Sequence, residues 1–314
     1  MKREIGLIVC LVLALTSASR AADADLDAIA TKAAREAIEK FKDEKLKEDE
    51  LAVTVIDLRD TATPRTGSYR GDQPIFPASV VKLFYLAAAH QWLEEGKLKD
   101  SDELRRTMSD MIVDSSNDAT AMIVDALTDA INGPPLPEEQ WKEWTEKRNA
   151  MNRYFGSLGY TIGGANGINV NQKTYCEGPY GREKLFIGPK YENRNKLTTD
   201  AIAKLLADIA QGKVVSPERS KEMMDLLKRD PASKAGGSDD QDTGFIASAL
   251  DREMKLWSKA GWTSTARHDA AYIESADGLR AVIVIFTTNH ARQRQILPII
   301  ARTLIADLKN SKPN

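Results

Sequence analysis

The sequence predicts an α/β protein of the α+β type. One antiparallel sheet is built from both ends of the chain and flanked by terminal helices, and an all-helical lobe is inserted between. Three observations carry this expectation. Residues 51–58 (LAVTVIDL) and 281–287 (AVIVIFT) are β-branched apolar runs of strand length near opposite ends of the chain. Most of the sequence between them repeats its apolar residues at helical spacing. Amphipathic stretches at 25–46 and 296–308 can then cover the sheet, which must bury its apolar surface against another layer.

In chain order, Leu26, Ile29, Ala33, Ala37 and Phe41 place one apolar stripe on the helix over 25–46. The strand at 51–58 follows, with a hairpin partner at 66–70 across a turn holding Pro64. A helix from Ser79 to about Glu95 is apolar nearly all round and is expected to be buried, with Gly96 ending it. Residues 102–130 read as two helices broken at 114–118, where Ser115-Ser116-Asn117 can cap the second. A helix is expected at 138–156, and a long glycine- and asparagine-rich loop at 159–195. Helices at 198–209 and 217–228 lead to a polar loop at 229–243. Apolar segments at 244–250, 255–261, 270–275 and 281–287 follow, the last two being the clearest strands, joined at Asp277-Gly278.

The 314 residues suffice for a sizeable core, and the formal net charge of −2 leaves no nucleic-acid footprint. Lys2 and Arg3, the short apolar run 5–15 and small residues to Ala21 fit a secretory signal cut after Ala21. The expected organisation is a signal segment at 1–21 and a single domain at 22–314. Its α/β lobe comprises about 22–74 with 244–314, and its helical lobe about 75–243. Export to the periplasm or beyond follows, with no stable membrane span after cleavage. Cys10 lies in the signal, which leaves Cys176 as an ordinary thiol without a disulfide partner. No H-E-x-x-H or cysteine–histidine spacing and no phosphate-binding glycine loop is present, so no cofactor or metal is expected.

Chemistry concentrates at 77–84, Pro77-Ala78-Ser79-Val80-Val81-Lys82-Leu83-Phe84. On a helix, residues three apart share a face, so the Ser79 hydroxyl and Lys82 amine can meet. A serine needs a base to become a nucleophile, and a buried lysine that loses its charge can be one. Backbone N–H groups at a helix start can hold a developing oxyanion. The alternative for Lys82 alone is a solvated side chain, which its apolar neighbours argue against.

Ser79-x-x-Lys82, Ser115-Ser116-Asn117 and Lys259-Ala260-Gly261 occur in that order. The set resembles the S-x-x-K, S-D-N and K-T-G motifs of the class A β-lactamases and penicillin-binding D,D-peptidases. The resemblance covers nearly all the chain beyond the signal and implies a β-lactamase/transpeptidase-like fold. It implies Ser79 as acylated nucleophile, Lys82 as proton acceptor, and Ser115 as proton donor to the leaving nitrogen. Asn117 would hold Lys82 and the substrate amide. Lys259 would supply positive potential near a substrate carboxylate, and the N–H groups of Ser79 and Trp262 would form the oxyanion hole. A β-lactam or a cell-wall peptide is the implied substrate, hydrolysed by a monomer; a peptidase or a non-catalytic binding descendant are the other readings.

This chain departs from the family pattern at several places. Ser116 replaces the usual aspartate, Ala260 replaces a hydroxyl residue, and Trp262 is bulky. Thr263 or Ser264 can substitute for the missing hydroxyl, and Arg267 or His268 can bind a carboxylate or be a surface charge. The Ser79–Ser115 interval is shorter than in the familiar lactamases. Counting back from the helix start near Thr198 places the deacylating glutamate at Glu183, with Glu177 and Glu192 as rivals; Ile187 stands where an asparagine is expected.

Overall fold

The structure, a computed structural model, describes residues 25–175, 178–233, 237 and 239–311. The expected signal at 1–21, Cys176 and Glu177 lie outside the described residues. Six antiparallel strands form one sheet in the order β2-β1-β6-β5-β4-β3. They are β1 (Leu51–Asp57), β2 (Arg65–Tyr69), β3 (Lys228–Arg229), β4 (Lys255–Trp262), β5 (Ala266–Glu274) and β6 (Arg280–Thr288).

Both faces of the sheet are covered, which explains why β1 and β6 read as near-continuous apolar runs. The two-residue period of a strand divides their side chains between two cores. Leu51, Val53 and Val55 of β1 and Ala281, Ile283 and Ile285 of β6 join Leu26, Ala30, Ala33 and Ala37 of helix α1 (25–40) and Ile300 and Leu304 of α10 (Ile296–Asn310). Ala52 and Ile56, with Val282, Val284 and Phe286, face the opposite core beneath the helical lobe. Helix α1 ends at residue 40 and gives way to turns, so it is shorter than its apolar stripe suggests.

The centre of the second core is α2 (Lys82–Glu94), buried from Lys82 through His90. Around it stand α3 (Asp102–Ile112), α4 (Asn117–Thr128), α6 (Ala150–Ser157), α8 (Thr199–Ala210) and α9 (Pro217–Leu227), while α5 (Glu138–Arg148) lies further out. The expected helix at 138–156 is two, α5 and α6, separated at Asn149. α9 stops at Leu227, and Lys228–Arg229 pairs with Trp257 and Leu256 as the short edge strand β3. The segment 244–250 is not a strand. Ala247–Ala249 forms a 3-10 turn that tucks Phe245, Ile246 and Ala247 under the terminal-helix layer.

The long loop carries a short helix, α7 (Gly181–Ile187), which the weak periodicity there did not announce. A lattice of side-chain amides holds the loop. Asn152 Nδ2 donates to Asn149 Oδ1 and Asn169 Oδ1, and Asn169 and Asn171 both donate to Asn193 Oδ1. Asn195 Oδ1 accepts the backbone N–H groups of Asn171 and Gln172, and its Nδ2 donates to Tyr85 Oη of α2. Satisfied amides replace the apolar packing that this stretch lacks.

Candidate active site

The structure brings the three motifs together where the helical lobe meets β4. Ser79 lies on a 3-10 turn, Ala78–Val81, immediately before α2 rather than inside it. Ala78 enters that turn at φ 47°, a left-handed conformation costly for a residue with a Cβ. Lys82 opens α2 and is fully buried. Its amine donates to Ser115 O at 2.6 Å, Asn117 Oδ1 at 3.1 Å and Ser115 Oγ at 3.2 Å. These bonds fix the amine against the Ser115 loop, at the start of the helix that the Ser79 turn leads into.

That loop is strained. Ser115 has φ 57°, and the conformation aims both its carbonyl and its hydroxyl at Lys82. Ser116, in place of the usual aspartate, caps α4 by accepting the Ala119 N–H at 3.1 Å. Its substitution therefore leaves the two flanking polar residues in position.

Lys259 completes the cluster from β4. Its buried amine donates to Ser115 Oγ at 2.9 Å, Gln241 Oε1 at 2.7 Å and Ala260 O at 2.8 Å. Burial, then the nearby Lys82 and Arg229 charges, hold the Lys259 pKa well below the ordinary lysine value. The Ser115 hydroxyl thus lies between two lysine amines. Gln241, which carries no sequence signal inside its polar loop, ties the site together. It accepts from Lys259 and from the Ala260 N–H, and its Nε2 donates to Val113 O at 2.8 Å, beside the Ser115 turn.

The β4 backbone has the right direction for an oxyanion site. Thr263 N–H bonds Ala266 O, so the next cross-strand pair, Trp262 and Arg267, is of the non-hydrogen-bonded kind. The Trp262 N–H consequently points away from β5, as does that of Ala260 two residues earlier, which bonds Gln241. β3 reaches only Leu256 and Trp257, so no strand covers this part of the edge among the described residues. Gly261 lets β4 approach the Ser79 turn: a Cβ there would lie 2.8 Å from Ser79 N and 2.9 Å from both Pro77 O and Val80 N.

Other expected site residues have different surroundings. Glu183, on α7, is buried, with one carboxylate oxygen paired to Arg148 and the other accepting from Tyr175 Oη at 2.7 Å. It does not line the cavity beside Ser79 but stands behind Tyr175, and Arg148 compensates its burial. Glu192 turns its carboxylate to the Lys190 N–H. Arg267 is no surface charge: it is buried, bonds Asp239 at 2.7 Å and lies over the Phe245 ring. His268 is equally buried, its ring bonded to Phe76 O and stacked on Phe286. The Thr263 hydroxyl accepts from the Thr265 and Ala266 N–H groups and so closes the β4–β5 turn. Trp262 is 55% exposed at the rim.

Two cavities meet at Ser79. One, of about 230 Å³, runs between Trp262 and the long loop and is lined by Asn117, Tyr175 and Arg194. The other, of about 720 Å³, lies on the side of Ser115, Lys259 and Gln241. Among the described residues no group of three His, Cys, Asp or Glu side chains is placed to hold a metal ion.

Behind Lys259, Asp269 of β5 is buried and accepts the Ile246 N–H at 3.0 Å. Burial pushes its carboxyl up to about 6. Its folded form keeps a proton that the unfolded chain, titrating near 3.8, has already lost. The stability contributed by this proton is present below that value and is lost as pH rises through about 6. Urea unfolding at pH 4 and pH 7 is expected to show Asp269→Asn removing a pH-dependent loss of about 1–3 kcal/mol. An unchanged pH dependence would contradict this assignment.

Fold and motif placement define a member of the serine β-lactamase and penicillin-binding D,D-peptidase superfamily. More particularly, the chain belongs to the β-lactamase enzyme family, whose model matches residues 103–308, more than half of its length. Its fold is similar to that of a β-lactamase from Sphaerobacter thermophilus (TM-score 0.63, 16% identity, covering 90% of this chain and 99% of the other). PBP-A is similar at TM-score 0.61 and 16% identity, with 90% and 97% covered. So is a mutant of the class A β-lactamase of the last common ancestor of Gram-negative bacteria, at TM-score 0.62 and 18% identity, with 89% and 100% covered. At these identities the likeness speaks to fold alone. A search of curated proteins finds no match.

Proposed function

We propose that this protein is an exported serine hydrolase that forms an acyl-enzyme at Ser79 with a β-lactam or a cell-wall peptide amide. The observation that carries the reading is the chain of bonds from Lys82 through Ser115 Oγ to Lys259 beside the Ser79 turn. Ser79 Oγ attacks the carbonyl carbon and its proton passes to Lys82 in the neutral form. The Ser79 and Trp262 N–H groups receive the developing oxyanion. The carbonyl–nitrogen bond then breaks, and Ser115 Oγ gives its proton to the departing nitrogen and is reprotonated from the adjoining amines. Water later cleaves the Ser79 ester.

The peptidase-like form of this chemistry is favoured over fast lactam turnover. Among the described residues no carboxylate lines the cavity between Ser79 and the long loop, and Glu183 is engaged by Arg148 and Tyr175. Intact-mass measurement after mixing with benzylpenicillin is expected to show one persistent adduct, absent from Ser79→Ala. No adduct and no turnover would remove the acyl-enzyme reading. Rapid turnover dependent on Glu183 would remove the peptidase-like form.

A further inference from the structure

The two cavities beside Ser79 differ in lining. Ser115 borders only the larger, so a departing nitrogen and the portion attached to it lie on that side. The acyl portion then lies in the smaller cavity, toward the long loop. This assignment rests on the acyl-enzyme reading above.

The larger cavity is lined by Asp114, Asp239, Asp240 and Asp242. Its cations are engaged within the protein. Lys259 donates to Ser115, Gln241 and Ala260, Arg229 donates to Ser258 O and Ile112 O, and Arg267 and Arg294, outside the lining, both pair with Asp239. The four aspartates there are thus matched by four cations, and this side does not select against a carboxylate on the departing portion.

The smaller cavity has no such balance. None of its described lining residues is acidic. Arg194 lines it, half-buried, with its guanidinium carbon 3.3 Å from the Phe76 ring centroid and 5.5 Å from that of Tyr191. The guanidinium makes no hydrogen bond or ion pair among the described residues. The nearest sequence carboxylate, Glu192, is turned to the Lys190 N–H. Stacking on Phe76 holds the planar fork in place while leaving its N–H donors open, the arrangement suited to bidentate capture of a carboxylate.

We propose that Arg194 sets substrate choice by binding a carboxylate on the acyl portion of the substrate, in the cavity opposite Lys259. The substrate class is an amide whose acyl half is anionic, such as an acidic peptide.

The test separates recognition from chemistry. In Ser79→Ala protein, which cannot be acylated, binding of glutaryl-D-alanine amide and of its neutral glutaramyl counterpart is followed by tryptophan fluorescence. The charged probe is expected to bind about tenfold more tightly. Arg194→Gln is expected to abolish the preference and Arg194→Lys to retain part of it, with both variants melting as the parent does. Equal affinities, no binding of either probe, or a preference that survives Arg194→Gln would overturn the proposal. A missing penicillin adduct in the native protein would instead overturn the acyl-enzyme reading alone, because the binding arm does not use Ser79.

Discussion

Replacing Arg148 by methionine is expected to cost about 3–5 kcal/mol of stability, because it leaves a buried carboxylate without its cation. The Arg148 guanidinium is 0% exposed and Glu183 is 1% exposed. Arg148 also donates to Ala130 O, lies over the Trp144 ring and approaches Asp125 at 3.7 Å. Without it, Glu183 retains the Tyr175 hydroxyl, too little to offset desolvation of a full charge. The double replacement Arg148→Met with Glu183→Gln removes both charges and is expected to recover more than half of the loss. Denaturant unfolding checks both. A single-variant loss below about 1 kcal/mol would mean that the pair behaves as an exposed one.

Gly261→Ala is expected to slow acylation by penicillin about 100-fold, the scale associated with a displacement of about 1 Å at a reacting centre. The added methyl meets three backbone atoms, Ser79 N, Pro77 O and Val80 N, none of which can swing aside as a flexible side chain would. β4 must move off the Ser79 turn, carrying the Trp262 N–H and Lys259 with it. Stopped-flow acylation gives the rate, and unfolding is expected to show a smaller accompanying loss of about 1–3 kcal/mol. An acylation rate within about threefold of the parent would show that this close approach is not needed.

The parts of the site carried by local spacing were legible in the sequence. Ser79, Lys82, Ser115 and Asn117 lie at or beside helix starts, Lys259 lies within β4, and the fold joins them. The sheet was legible for the same local reason, since β1 and β6 are covered on both faces and show it as unbroken apolar runs. What was not legible depends on contacts made across long loops. Glu183 looks like a solvated loop acid until Arg148, 35 residues earlier, is seen to be buried against it. Gln241 bridges Lys259 and Val113 over 18 and 128 residues, and no periodicity marks it. Arg267 stands in a polar run, Arg267-His268-Asp269, that reads as an exposed stretch, but Asp239 and Phe245 cover it.

The amide lattice of the long loop has a consequence for working conditions. Asparagine side chains carry no net charge at any ordinary pH, and dipole contacts at bonding distance are hardly screened by dissolved ions. The wall that presents Asn195 and Arg194 to the cleft should therefore hold its shape through swings in acidity and salinity that weaken surface ion pairs. The vulnerability lies elsewhere. Deleting one amide strands the hydrogen-bonding groups of its neighbours, so the wall is tolerant of its medium and intolerant of substitution.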